Sequence, residues 1–157
     1  MIMNKGNSRK RGLHEIVGVW QIKEVARQNG GEPVADMTKR SIFIFTPHHY
    51  SMVWVLSAEP QRAFAERWNP TDAEKIERYD SLVVNAGTYE ITESTITVHP
   101  IVARIPEFVG GRLVCEYRVE GNSLRLKFVD EYTYDGVQAP WVASGRGLIL
   151  ALVRIDQ

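Results

Sequence analysis

The sequence predicts an all-β protein, an eight-stranded up-and-down antiparallel β-barrel with a helix inserted between its third and fourth strands. Three observations carry this reading. Eight short segments alternate apolar and polar residues or run apolar throughout, the patterns of strands with one or both faces buried. The stretches between them are rich in Gly, Pro, Asn and Asp, residues that supply turn conformations. The connections also sort by length: the first, third, fifth and seventh are long, and the second, fourth and sixth are tight. In an up-and-down barrel these two sets lie at opposite ends, so one end is closed by hairpins and the other is an elaborated mouth.

Strand A, Val17 to Ala26, alternates, with Trp20, Ile22, Glu24 and Ala26 on one face. Gln28-Asn29-Gly30-Gly31-Glu32-Pro33 opens a long connection over residues 27–40. Strand B, Ser41 to Thr46, has an Ile42-Phe43-Ile44-Phe45 core that is apolar on both faces, so periodicity does not orient it. Strand C, His49 to Leu56, places Tyr50, Met52 and Trp54 on one side. Thr71-Asp72-Ala73-Glu74 is a capping box, and Ile76, Tyr79, Leu82 and Val83 follow at helical spacing, which predicts a helix over about Asp72 to Val84. Phe64 and Trp68, four apart, suggest a weaker helical stretch over Pro60 to Trp68. Strand D is Gly87 to Thr92 and strand E is Thr95 to about Ala103. Strand F is Leu113 to Glu120, strand G Leu124 to Val129, and strand H Arg146 to Ile155. The loop Asp130 to Gly145 between the last two carries Tyr132, Tyr134 and Trp141.

Composition sets the bounds. A chain of 157 residues is expected to form one domain, here residues 13–157, behind a disordered basic tail over Met1 to Gly12. Leu13 to Val19 holds His14 and Glu15 where a signal peptide needs a continuous apolar run. Nineteen basic residues balance nineteen acidic ones; without Lys5, Arg9, Lys10 and Arg11 the barrel has fifteen against nineteen, which argues against a nucleic-acid partner. No apolar run approaches the length of a membrane span. The single cysteine, Cys115, forms no internal disulfide, and the cytoplasm is the expected compartment.

Taken together, Gly18-Val19-Trp20, Ile42-Phe43-Ile44-Phe45-Thr46-Pro47 running into Tyr50-Ser51-Met52, and Ala86-Gly87-Thr88-Tyr89-Glu90-Ile91 resemble the bacterial and fungal lipocalin-like domain family. Thr97-Val98-His99-Pro100 leading to Pro106-Glu107-Phe108-Val109-Gly110 adds to the resemblance, which covers about Ile16 to Asp156. It implies a calycin-type barrel with an internal cavity and no established common activity. The inserted helix and the missing disulfide pair set the chain apart from secreted lipocalins, so their transport roles do not carry over.

Within a barrel, strands A and H meet at the hairpin-closed end. Gly18, Trp20 and Arg154 are therefore expected to form the floor, with the guanidinium stacked on the indole. Placing Trp20 inside turns Glu24 inward as well, where a carboxylate must be paired, hydrogen-bonded or protonated. Glu24, Tyr117 and His99 are the candidate acid/base residues, although His99 reads more naturally as a surface side chain. Glu24, Tyr50, Met52, Trp54, Tyr89, Tyr117 and Phe128 are the expected ligand-binding wall. His48 and His49 are adjacent and point apart, so no metal is expected. No phosphate loop, Gly-x-Ser-x-Gly elbow or His-Glu-x-x-His motif occurs, and no cofactor is expected. The leading expectation is binding of a small hydrophobic or aromatic molecule in the barrel. The alternatives are a cofactor-free isomerase or cyclase using Glu24 with an interior tyrosine, and an interaction module that dimerises through Trp68, Trp141, Tyr132 and Tyr134.

Overall fold

Strand propensity and turn chemistry lay the described residues out as nine strands in one antiparallel sheet. They are β1 (Gly18–Arg27), β2 (Val34–Ala35), β3 (Ser41–Phe45), β4 (His49–Val55), β5 (Leu82–Ile91), β6 (Thr95–Ala103), β7 (Arg112–Glu120), β8 (Ser123–Tyr132) and β9 (Leu148–Asp156). The computed structural model describes residues 13, 15–32, 34–35, 40–57 and 59–157; the tail expected over Met1 to Gly12 lies outside the described residues. β1 and β3 to β9 pair in chain order, and β9 returns to β1 along most of its length, closing an eight-stranded up-and-down barrel. The two-residue β2 pairs with the mouth half of β1, at Glu24 and Val25. The tight turns at 46–48, 92–94 and 121–122 close one end, and the long connections gather at the other. Among the described residues no helix is long and apolar enough to cross a membrane.

The floor half of the barrel is filled. Trp20, Ile22, Phe43, Phe45, Ile96, Leu124, Leu126, Leu150 and Leu152 are almost fully buried there. Phe45 meets Tyr89 edge-on, with ring centroids 5.5 Å apart. The Trp20 indole donates to Ile16 O at 2.8 Å, and the Arg154 guanidinium lies 4.1 Å from its ring centroid. Arg154 also donates to the carbonyls of Val17 and Glu15. Gly18 has φ +141°, and a Cβ there would come within 2.5 Å of Arg154 Nη1. The residue before Trp20's neighbour must therefore be glycine for the guanidinium to cover the indole.

Above the floor, three strands each carry one extra residue, and each bulge reverses which side chains face inward. In β1, Ile22 pairs with Leu152 and Glu24 with Ala151, which leaves Lys23 without a partner. In β6, Pro100 pairs with Gly87 and Val102 with Ala86, which leaves out Ile101. In β8, Phe128 pairs with Cys115 and Asp130 with Val114, which leaves out Val129. A bulge bends its strand and increases local twist. All three lie in the mouth half. Gly87 makes the β6 bulge possible, since a Cβ at that position would sit 2.0 Å from His99 O.

Several elements differ from the sequence expectation. α1 (Asp72–Ser81) has the expected capping box, with Glu74 N donating to Thr71 Oγ1 and Thr71 N donating to Glu74 Oε2, but it ends at Ser81. Leu82, Val83 and Val84 instead begin β5 and pair with Val55, Trp54 and Val53. The β-branched pair favours this ladder over another turn of helix. No helix forms over Pro60 to Trp68. The Ala65 amide donates to Glu74 Oε1 at 2.9 Å and is unavailable to a helical carbonyl, and Trp68 has φ +66°. Strand G extends to Tyr132, and strand H starts at Leu148 rather than Arg146. Phe43 and Phe45 of β3 point inward while Ile42 and Ile44 face out, which orients a strand whose pattern is two-sided.

Candidate ligand-binding site

The bulges decide which side chains line the mouth half. Partners across an antiparallel pair point to the same face. Ala151 lies between the buried Leu150 and Leu152 and faces out, and Glu24 opposite it does too. Glu24 is thus placed on the outer face and does not line the cavity, contrary to the strict alternation counted from Trp20. Val25, opposite Leu150, takes the inward position. By the same shift Glu131, opposite the inward Leu113, faces in, and Asp130 faces out. Ala103, opposite Asn85, faces in, and Val102 faces out with 57% exposure.

The result is a cavity of about 610 Å³ at the mouth end. Its wall is mostly apolar, from Val25, Met52, Trp54, Val83, Ala103, Phe108, Leu113, Phe128 and Leu148. Short loop structures complete it. A single 3₁₀ turn at Pro106–Phe108 buries Phe108, and the Gly110 amide ties the turn to Pro100 O at 3.1 Å. The one-turn α2 (Pro140–Ala143), started by Pro140, brings Trp141 to the cavity. Arg27, Arg104 and Arg146 also contribute to the lining. Arg104 is engaged elsewhere, donating to the carbonyls of Tyr79 and Asp80 with its guanidinium 5.0 Å from the Tyr79 ring centroid. Arg146 Nε donates to Ser144 Oγ at 3.0 Å.

Two polar side chains face this apolar wall from β5 and β8. Asn85 is 6% exposed, and its Oδ1 is buried with no hydrogen-bond partner among the described residues. Its position opposite Met52 on one side and Ala103 on the other fixes it inward. Glu131 accepts from Trp141 Nε1. Burial raises its carboxyl pKa above the ordinary range, and the indole hydrogen bond only partly opposes this.

Of the residues expected to form the wall, Met52, Trp54 and Phe128 line the cavity. The three tyrosines do not. Tyr89 donates to Thr46 O at 2.6 Å, at the floor hairpin, and burial pushes its hydroxyl up to about 12. Tyr117 donates to Thr92 O at 3.0 Å, also at the floor end. Tyr50 is 3% exposed, its hydroxyl buried in the packed core without a hydrogen-bond partner among the described residues, and burial raises its pKa. His99 faces out, with Nε2 3.9 Å from Glu90 Oε2. Glu24, Tyr117 and His99 are therefore not brought together, and the proposed acid/base pairing of Glu24 with an interior tyrosine has no geometry. The aromatic loop is divided as well. Trp68 is 98% exposed, Trp141 turns into the cavity, and Tyr132 donates to Asp130 Oδ2 at 2.8 Å beneath Arg112. Sequence reasoning misses Asn85 and Glu131 because it starts strand D at Gly87 and ends strand G at Val129, which leaves both residues in connections, whereas β5 starts at Leu82 and β8 runs to Tyr132. The signals present in the sequence were the Val83-Val84 pair ahead of Asn85 and the Pro100 and Gly87 that accommodate a bulge.

A scan against protein families matches the lipocalin-like domain over residues 17–141. No curated protein and no solved structure gives a significant match to the chain. The matched segment spans most of the sequence and runs from the floor strand to the Trp141 turn at the mouth: the chain belongs to the lipocalin-like domain family.

Proposed function

We propose that this protein binds a small, largely apolar molecule in the mouth half of its barrel. The observation that carries the reading is the cavity of about 610 Å³, apolar over most of its wall with a few inward polar groups. Sites for small molecules have this size and composition, within about 300–1,000 Å³. The filled floor supports it too, because it confines a ligand to the mouth half, where flat rings can stack on Trp54, Phe128 and Trp141.

Native mass spectrometry of the protein purified from its own host tests the reading. A retained molecule at one per chain is expected, lost in Ala103→Trp, which places an indole in the cavity. Absence of any retained molecule, together with no binding from a panel of two- and three-ring aromatic compounds in calorimetry, would overturn it.

A further inference from the structure

An apolar wall alone sets no preference among ligands, but the two inward polar groups do. Asn85 Oδ1 can only accept, is buried, and has no partner among the described residues. An unmet buried acceptor favours a ligand that brings a donor to it, since the protein loses nothing further by desolvation and gains the missing bond. Glu131 faces the same cavity, and Trp141 already takes one of its oxygens. From these two we infer that the ligand is a neutral molecule bearing a hydroxyl group, phenolic or alcoholic, which donates to Asn85 Oδ1, and that carboxylate ligands are disfavoured in the depth of the cavity.

A carboxylate would bring no donor to Asn85 Oδ1 and would lose its hydration against a mostly apolar wall. Three arginines also line the cavity, Arg104 held by Tyr79 and Asp80 through Nη1, Arg146 by Ser144 through Nε, and Arg27 at the exposed mouth end of β1, so a carboxylate that binds does so at these cations and not at Asn85 Oδ1. An ammonium ligand fares poorly too. Its charge would have to be stripped of water against a mostly apolar wall, which is costly.

This inference rests on the binding reading, and a matched probe set separates the two. Calorimetric titration compares 2-naphthol, naphthalene and 2-naphthoate, which share one ring system and differ in the polar group. The expected result is 2-naphthol at least about tenfold tighter than either of the others, the ratio equivalent to one hydrogen bond of about 1.4 kcal/mol. Asn85→Leu is expected to remove that preference, bringing the affinity ratio of 2-naphthol to naphthalene to about one. Naphthalene or 2-naphthoate binding as tightly as 2-naphthol, or a preference that survives Asn85→Leu, overturns the hydroxyl assignment and leaves the binding reading standing. Failure of all three probes to bind overturns the binding reading, and this inference falls with it. If Asn85→Leu does not fold, the ratios for the unaltered protein decide alone.

Discussion

Gly87→Ala tests the geometry on which the mouth half depends. The added methyl carbon would lie 2.0 Å from His99 O and 2.8 Å from Ile101 N, both backbone atoms of β6 at its bulge. Neither can rotate away as a flexible side chain would, so β5 and β6 must separate or the bulge must move. Overpacking in a core typically costs about 1–3 kcal/mol where side chains can adjust. A clash against two strands belongs at the top of that range, about 3 kcal/mol. For a domain of this length 1 kcal/mol shifts the melting midpoint by about 2–4 °C, so Gly87→Ala should lower it by about 6–12 °C. Gly121→Ala is the control. Gly121 sits in the β7–β8 turn at φ +59° with nothing within 4 Å of an added Cβ, so its cost is confined to backbone strain of about 1–2 kcal/mol. Urea unfolding of the three proteins, with slopes compared to check that the unfolded states match, gives the free energies directly. A Gly87→Ala protein as stable as Gly121→Ala, or within about 0.5 kcal/mol of the parent, would refute the close approach of the two strands.

Three further outcomes follow from the same structure. Arg154→Leu removes two charge-assisted bonds to the Val17 and Glu15 carbonyls and the cover over Trp20; a loss of about 2–4 kcal/mol is expected in denaturant unfolding, and an unchanged midpoint would contradict the floor arrangement. Cys115 is 1% exposed and burial raises its thiol pKa, so a thiol reagent should label it only as fast as the barrel opens; labelling of the native protein at the rate of a free thiol would contradict its placement. Glu131 has a folded-state pKa raised by burial, so the folded state holds its proton more tightly than the unfolded chain does, and stability should fall as pH rises from the ordinary carboxylate value through the raised one. Glu131→Gln should flatten that part of the stability profile, and an identical slope in both proteins would place the carboxyl in water.

The floor was legible in the sequence because alternation along β1 runs unbroken there; the register shift between Val19 and Trp20 takes its extra residue, Ile155, from the end of β9. From Gly18-Val19-Trp20 the phase of β1 holds through Ile22, and the expected stack of Arg154 on Trp20 coincides with the observed distance of 4.1 Å. The sorting of loop lengths likewise placed the mouth correctly and sent the search for a cavity to it. The mouth wall was less legible, and for a physical reason. A strand pattern has period two, and one extra residue reverses every side chain beyond it. Lys23, Ile101 and Val129 are such residues, and none differs in type from its neighbours in a way that marks a bulge. Strict alternation therefore puts Glu24 inward in place of Val25, and the loop expected over Asp130 to Gly145 takes in Glu131. The helix boundary failed in a similar way. Leu82 and Val83 suit both the apolar face of α1 and the start of β5, and only the ladder with Val55 and Trp54 decides between them.

The central claim is that the three bulges open the mouth half and turn Asn85 and Glu131 into it, while the floor stays closed. A crystal structure of the complex with 2-naphthol tests this most directly. The account predicts the ring system between Trp54 and Phe128 with its hydroxyl on Asn85 Oδ1, and Glu24 on the outer face. A ligand bound outside the barrel, or a mouth half filled by protein side chains with Glu24 turned inward, would contradict it.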